Sequence, residues 1–561
     1  MNFYKILAAA VLTTSLGLLV WQSPTIAADK AQAVQKKNKK ALDKNTPVVD
    51  PKAIELKPQK PENPSNPSPV LEVSKLIDQE INKKLKEAKL IPSPQADDAE
   101  FLRRAYLDIT GVIPSASKTR EFLESKDPNK RAKLIDELID SKGFGNRLGD
   151  IWANLMYPQD SDNRLTPKAP IREWMAKSFN EGKHWDVMTW ELITATGEAE
   201  KVPEVTYIMA NKGVDKLTDS VGKLFLGVQI QCAQCHNHPF THWKQTEYWG
   251  LAQFFYKVDI QAARNANQAA NITPGVSELN RPGRSRNNPL PESAKNVPAK
   301  LLGAETVKLP PTEPYRPVLA TWMTRPDNPF LAKAMVNRLW WQYFGRGLVN
   351  PVDDMSDENT PSHPELLAAL TKEFVKSGFD VKHMVRCLTN SEAYQRTSKP
   401  NESNKDDNEL YSHQNIKVLT GEQLYDSLVS ITGGDNDRPM AKGLVRGLPN
   451  SNRDRFAQFF LGTDNALPTD YEAGIPQALR LMNGPMLSQQ RMVTASQRIV
   501  GKKTSPSEVV DALYLATLNR HPSDEEMKKV TTFLSKANDT RSAYADILWT
   551  LLNTAEFTLN R

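Results

Sequence analysis

Cysteine is almost missing from this chain, with three among 561 residues, and histidine is little commoner at eight. Alternating apolar and polar residues are scarce, which argues against an all-β fold. Beyond the first twenty or so residues, every apolar stretch is broken by charge within a few positions, which excludes a second membrane-spanning helix. There is no G-x-S-x-G elbow, no phosphate-binding loop and no dinucleotide fingerprint. No motif for nucleic-acid recognition occurs either. No residue set is therefore assigned to catalysis, and whether the chain is an enzyme stays open.

What is present begins at the N-terminus. Lys5 precedes an apolar run from Ile6 to Trp21, followed by Ser23-Pro24-Thr25-Ile26-Ala27-Ala28. This pattern reads as a secretory signal peptide over residues 1–28, cut after Ala27 or Ala28. An uncleaved anchor is the alternative, but the run is short for a span and contains Thr13, Thr14 and Ser15. No cysteine follows it to carry a lipid. The expected product is periplasmic, extracellular or on the cell surface, with no membrane span after signal cleavage.

The net charge of +6 is local. Residues 1–60 hold ten lysines and four acids, which accounts for all of it and leaves the rest of the chain formally neutral. Residues 29–69 are rich in Lys and Pro and read as a disordered linker, because they cannot bury enough apolar surface to offset ordering. A cationic tail of this kind suits an anionic envelope polymer or simple solvation.

Helical periodicity starts at Val70, with Val73, Leu76, Ile77, Ile81 and Leu85 on one face. A second helix is expected from Asp97 or Asp98 to Gly111, and others over 129–140, 144–156 and 170–181. Val221, Leu224, Phe225 and Val228 predict a helix from about Lys216 to Gln231. Residues 262–312, rich in Asn, Arg and Pro, read as a linker or insertion. Beyond it, Asn328-Pro329 opens a helix that Gly345 stops. Ser362–Glu365 and Thr420–Gln423 have capping-box spacing, and 507–519, 523–537 and 541–556 read as helices. The expected fold is mainly α: two helical domains, 70–261 and 313–561, joined by a long irregular linker, with few or no strands.

One segment concentrates chemistry: Cys232-Ala233-Gln234-Cys235-His236. With cysteine and histidine so rare, C-x-x-C-H would arise by chance on the order of once in several thousand such chains, and its spacing is that of c-type haem attachment. In that reading Cys232 and Cys235 are thioether anchors and His236 is the axial iron ligand. His238 is too near in sequence to reach the opposite haem face, and Met209, Met156 and His184 are candidates for it. A second reading makes the cysteines a redox dithiol or a static disulfide. A third is a zinc site using Cys232, Cys235 and two of His236, His238 and His242. The ring-rich stretch from Phe240 to Tyr256, including Trp243, Tyr248, Trp249, Phe254 and Phe255, suits either the wall of a macrocycle or ordinary core packing. Cys387 reads as a buried small hydrophobe. Asp353, Asp354, Asp357 and Glu358 lack the spacing of a calcium loop and read as a solvated turn, and His363 as part of a helix cap.

The surroundings of the motif carry a resemblance. Gly227–Phe240, with Tyr248-Trp249-Gly250-Leu251-Ala252 and Phe254-Phe255 behind it, and Leu107-Asp108-Ile109-Thr110-Gly111 with Pro114, resemble the planctomycete cytochrome-c-like domain of unknown function. Asn328-Pro329-Phe330, Asn337-Arg338, Phe344–Val349, Pro351-Val352-Asp353-Asp354, Pro361–Leu367 and Gln477-Ala478-Leu479 resemble its usual C-terminal companion domain. Relatives often have Asp where this chain has Asn237, and many have cysteines where it has Asn465–Asp470. The leader and the C-x-x-C-H spacing together lead to the expectation of an exported c-type haem protein for electron transfer or redox sensing, with a redox partner protein. The alternative is a structural or interaction protein of the cell envelope in which the C-x-x-C is a disulfide staple, no cofactor is held, and the second domain contacts envelope components.

Overall fold

A computed structural model describes residues 48–49, 67–158, 167–261, 273–278, 292–304, 306–433, 452–460 and 475–561. The expected signal peptide, nearly all of the Lys/Pro-rich linker and Asn465–Asp470 lie outside the described residues, as do parts of 262–312.

The described chain is mainly α-helical. Its first half contains α1 Val70–Glu87, α2 Asp98–Thr110, α3 Ala116–Glu124, α4 Lys130–Asp140, α5 Lys142–Met156, α6 Ala169–Asn180, α7 Trp185–Thr194, α8 Val205–Ala210, α9 Val214–Val221 and α10 Gln245–Ala252. The second half contains α11 Arg316–Met323, α12 Leu331–Phe344, α13 Pro364–Lys376, α14 Val381–Thr389, α15 Glu392–Gln395, α16 Gly421–Thr432 and α17 Asn452–Phe459. It ends with α18 Ile475–Asn483, α19 Gln489–Val500, α20 Pro506–Thr517, α21 Asp524–Ser535, α22 Thr540–Leu552 and α23 Ala555–Thr558. The strands are short. β1 (Val48–Val49) pairs in parallel with β5 (Thr306–Val307), and β2 (Gly197–Glu198), β4 (Gly275–Glu278) and β3 (Val258–Gln261) form an antiparallel sheet in that order. β6 (Lys417–Val418) pairs antiparallel with β7 (Leu559–Asn560).

Local chemistry sets many helix ends. Asp97 accepts the Glu100 N–H at 2.8 Å to open α2, and Gly111 closes it in the left-handed region at φ 78°. The Asn328 side-chain oxygen accepts the N–H groups of Phe330 and Leu331 to start α12, and Gly345 at φ 79° stops it. The capping box at Thr420 and Gln423 is formed as its spacing predicts. The one at Ser362 is not. The Ser362 hydroxyl donates instead to the Leu348 carbonyl, and His363 precedes the first turn of α13 without capping it. Helices α5 and α6 touch backbone to backbone because Gly145 and Gly149 lie one turn apart on the shared face. A Cβ on Gly145 would stand 2.2 Å from the Ala176 carbonyl oxygen, and one on Gly149 2.8 Å from that of Arg172.

Val48–Arg561 packs as a single unit, and its apolar interior falls into two clusters. The larger runs from Val73 to Tyr411 and so takes in both α1–α10 and α11–α15. The smaller comprises buried residues from Leu419 to Phe557 together with Leu107 and Ile113. The division between clusters therefore lies beyond Tyr411 and not in segment 262–312. The described parts of that segment are packed: β4 is the middle strand of its sheet, Leu301 and Leu302 are buried, and Glu278 pairs with the buried Arg316 at 2.5 Å.

A buried polar seam centred on α2 joins the clusters. Arg103 donates to the carbonyls of Thr517 and Phe557 and to the Asn519 side chain. Arg104 donates to the carbonyls of Tyr394 and Arg396 and to Glu100. Asp108 accepts from Lys417 Nζ at 2.6 Å, Asn560 Nδ2 at 2.7 Å and the Tyr394 hydroxyl at 3.0 Å. Burying such charges is tolerable because nearly every donor finds an acceptor.

Candidate functional site: the Cys-x-x-Cys-His loop

The expected helix from Lys216 to Gln231 is not continuous. α9 ends at Val221, a single π-helical turn covers Gly222–Leu226, and Gly227 terminates it at φ 66°. The glycine is required there for space as well as conformation, since a Cβ would meet the Ala334 Cβ at 3.1 Å and the Met355 methyl at 3.3 Å. The cysteine motif consequently sits on its own short 3-10 turn, Gln231–Gln234, separate from the preceding helix.

That turn has a clear polarity. Ala233 is its buried residue, while Cys232 and Cys235 are both free thiols and exposed. With three residues per turn, positions i and i+3 fall on the same side. Cys232 lies within the turn and Cys235 caps its C-terminal end.

Main-chain acceptors in the motif are held by α10. Gln245 Nε2 donates to the carbonyls of Gln234 (3.1 Å) and Cys235 (2.8 Å), and Trp249 Nε1 donates to Gln234 at 3.0 Å. The Gln245 N–H reaches the Asn237 side-chain oxygen at 3.0 Å, so Asn237 has a structural task in the loop. On the far side, the His238 N–H donates to the Trp243 carbonyl at 2.8 Å.

The three histidines differ in the nitrogen left available. His236 Nδ1 lies 2.7 Å from the Asn237 carbonyl oxygen, which can only accept, so Nδ1 carries the proton and Nε2 keeps its lone pair. His238 Nδ1 accepts from the N–H groups of Phe240 and Thr241 at 3.3 and 3.1 Å and staples the loop. His242 Nδ1 is 2.8 Å from Asp357 Oδ2, and its ring lies against Trp243. Among the described residues no cluster of three or more His, Cys, Asp or Glu forms a metal centre. Of the alternative set Cys232, Cys235, His238 and His242, His238 spends Nδ1 on the loop backbone, while His242, like His236, spends Nδ1 on an acceptor and leaves Nε2 without a hydrogen-bond partner among the described residues.

The ring-rich stretch divides sharply. Trp243, Tyr248, Trp249, Phe254 and Phe255 are buried in the larger cluster, whereas Phe240 is 72% exposed beside the motif. Beneath the loop, burial pushes the Asp219 carboxyl up to about 6, with Asp215 contributing and Tyr248 opposing. Met156 and Met209 are buried in the larger cluster, and His184 precedes α7 with its ring against Gly378.

A loop from the second half of the chain braces the site, which sequence reasoning did not foresee. The Met355 N–H donates to the Gly227 carbonyl at 2.7 Å. Asp353 accepts from Gln229 Nε2 at 3.0 Å and pairs with Lys223 at 3.3 Å. Asp354 accepts from Asn359, and Asp357 from His242. Three of the four acids, Asp353, Asp354 and Asp357, therefore pair with separate partners, and the cluster gathers no metal site among the described residues. The only sequence signal was that Pro351-Val352-Asp353-Asp354 and the Gly227 segment each belonged to a motif.

Cys387 is buried in α14, and burial holds its thiol well above the ordinary range. Its sulfur and Glu373 Oε1 both approach the same nitrogen, His383 Nε2, at 3.6 and 3.1 Å. A relay needs the two ring nitrogens on different partners, so this trio is a packing feature.

No curated protein matches the chain, and no solved structure does. Two family models do: in N-to-C order the chain carries a domain matching PSCyt2, a protein of unknown function (DUF1549), over residues 76–260, and one matching PSD1, a protein of unknown function (DUF1553), over residues 315–458.

Proposed function

We propose that the Cys232–His236 loop is the covalent anchorage of a c-type haem in an exported protein, used for electron transfer or redox sensing outside the cytoplasm. The observation that carries this reading is the loop itself: two exposed thiols within and at the end of a short turn, followed by a histidine that spends only Nδ1 on a protein partner. The donor set fits the group. Cys232 and Cys235 would hold it through sulfur, and His236 Nε2 would ligate its iron. A haem so held supplies reversible one-electron chemistry.

The chain's own residues prepare this task. The Asn237 carbonyl orients the His236 ring through Nδ1, as outer partners of metal-binding histidines do. Gln245 and Trp249 keep the turn from unwinding. The exposed Phe240 ring supplies apolar surface next to the motif. The resemblance to the planctomycete cytochrome-c-like family supports the same assignment, and the signal-peptide pattern of residues 1–28 supports a periplasmic or cell-surface location.

A second reading is favoured by one observation: the rings following the motif are in the core and do not wall a crevice. It makes the protein an envelope component whose C-x-x-C is a disulfide staple or redox dithiol. Expression with the native leader in a host with haem-maturation machinery, followed by a haem stain of a denaturing gel, decides between them. Covalent stain that is lost when Cys232→Ser and Cys235→Ser are combined supports the haem. A folded, exported protein that never stains, and whose two thiols are trapped as a mutual disulfide or as a zinc complex, overturns it.

A further inference from the structure

The Thr110-Gly111 end of the early signature faces a cavity of about 670 Å³ that the haem reading does not use. That volume lies within the range of about 300–1,000 Å³ typical of small-ligand pockets. Its wall comes from the end of α2, from α4, α5 and α6, and from α16 and α17, and none of Cys232, Cys235 or His236 lines it.

Its base is a fixed ionic lattice. The Arg453 fork is fully engaged: Nη1 and Nη2 reach Asp150 at 3.0 and 2.5 Å, and Nε and Nη2 reach Asp426 at 2.8 and 2.6 Å. A second guanidinium is left incomplete. Arg147 makes one long bond, 3.3 Å to the Thr420 hydroxyl, and its Nε is buried without a partner in the protein. The absent side chain of Gly111 gives it room, since a Cβ there would lie 3.0 Å from Arg147 Cδ. Arg172 lies 3.8 Å from Asp150, with donors to spare. Tyr106, Asn146 and Glu173 add a hydroxyl, an amide and a carboxylate to the lining.

This mixture selects a ligand class. Five carboxylates and three guanidiniums line the cavity, so it offers no net attraction for an anion. It does place bidentate donors next to bidentate acceptors, which is the pattern that adjacent hydroxyl groups satisfy: each can accept from a guanidinium and donate to a carboxylate. The terminal nitrogens of Arg147, with one long bond to Thr420 between them, keep donors for that pairing. We infer that this cavity binds an uncharged sugar, with Arg147 and Arg172 donating to neighbouring hydroxyls. The inference is independent of what the cysteine loop holds.

The test uses the full chain, ligand-observed NMR and calorimetry, with cellobiose, maltose, lactose and xylobiose as neutral probes and glucuronate, glucosamine and inorganic phosphate as charged ones. The expected result is saturable binding of at least one neutral disaccharide. That binding weakens about tenfold or more in Arg172→Ala and in Asn146→Ala, two partly exposed positions, with melting temperature unchanged. Failure of all four neutral sugars to bind overturns the inference, as does tighter binding of glucuronate, glucosamine or phosphate. Neutral-sugar binding that neither substitution weakens also overturns it, because the sugar then sits elsewhere.

Discussion

Asp108 is the position at which one carboxylate has most to hold. Its side chain and that of Lys417 are each only 5% exposed and lie 2.6 Å apart, while Asn560 and Tyr394 donate to the same carboxylate. Lys417 is also within reach of the Gln342 and Tyr343 carbonyls at 3.2 and 3.1 Å. Asp108→Ala removes the only anion and strands a buried ammonium on two neutral acceptors, a situation that costs about 3–5 kcal/mol. Lys417→Met alone leaves the carboxylate with two neutral donors and is expected to cost less. The double variant is expected to recover about 2–3 kcal/mol relative to the sum of the singles, since each substitution removes the charge the other orphans. Burial already lowers Lys417, and Asp108 holds it up. Without Asp108 the lysine is more easily buried as a free amine, so the Asp108→Ala deficit is expected to shrink as pH rises toward 10. Urea denaturation measures the cycle, and hydrogen exchange at 416–420 and 556–561 localises it to the β6–β7 pair. A single-substitution cost below about 1 kcal/mol, or strict additivity, would refute the claim that this ion pair joins the two clusters.

The remaining expectations concern packing, pH and the motif. Gly145→Ala places a methyl 2.2 Å from the Ala176 carbonyl, which α5 and α6 can relieve only by separating; a loss of about 1–3 kcal/mol or more is expected by denaturation. Burial lowers His363 to about 4, so the neutral ring contributes stability that is complete above pH 6.5 and disappears as pH falls through about 4. His363→Asn is expected to flatten that part of the stability–pH curve by up to about 3 kcal/mol. Asp219 has the opposite sign: its raised carboxyl favours folding below pH 3.8 and loses that advantage as pH passes through about 6. Asp219→Asn should therefore stabilise the protein at pH 7–8, by no more than about 3 kcal/mol, and leave it unchanged near pH 3.5. Under the proposed haem anchorage, a folded protein carrying both Cys232→Ser and Cys235→Ser is expected to show no covalent haem stain and no haem mass on the intact chain, whereas Cys235→Ser alone keeps at most one thioether.

Much of the helical layout is legible because its signals are local. The apolar face of α1, the Asp97 cap, Gly111, Pro170 in the first turn of α6, Gly345 and the Thr420–Gln423 box each act within a turn or two of themselves. Signals fail where two remote segments compete for the same group. Ser362 has the spacing of a cap, yet the Leu348 carbonyl takes its hydroxyl. The apolar run after Lys216 has helical period, yet the close approach of Ala334 and Met355 demands a left-handed glycine at 227. Glu278, at the end of β4, is held by Arg316, a pairing no local pattern encodes. The cavity at Gly111 was invisible for the same reason, since Asp150, Asp426 and Arg453 come from three helices distant in sequence.

The two matched domains have a physical reason to occur together. The 3-10 turn that presents Cys232 and Cys235 is too short to hold its own shape; isolated turns of this kind are marginal without tertiary support. α10 grips its carbonyls from one side. On the other, the Pro351–Asp357 loop of the second matched segment takes the Gly227 carbonyl, Gln229, Lys223 and His242. Those contacts fall on both sides of the five motif residues, at 223–229 and 242, and do not consume either thiol. The second segment thus fixes where the loop begins and ends while leaving its reactive groups free. A cysteine pair kept only as packing material would need neither the exposure nor this bracing, whereas a loop that must present two sulfurs and one imidazole in a fixed relation needs both.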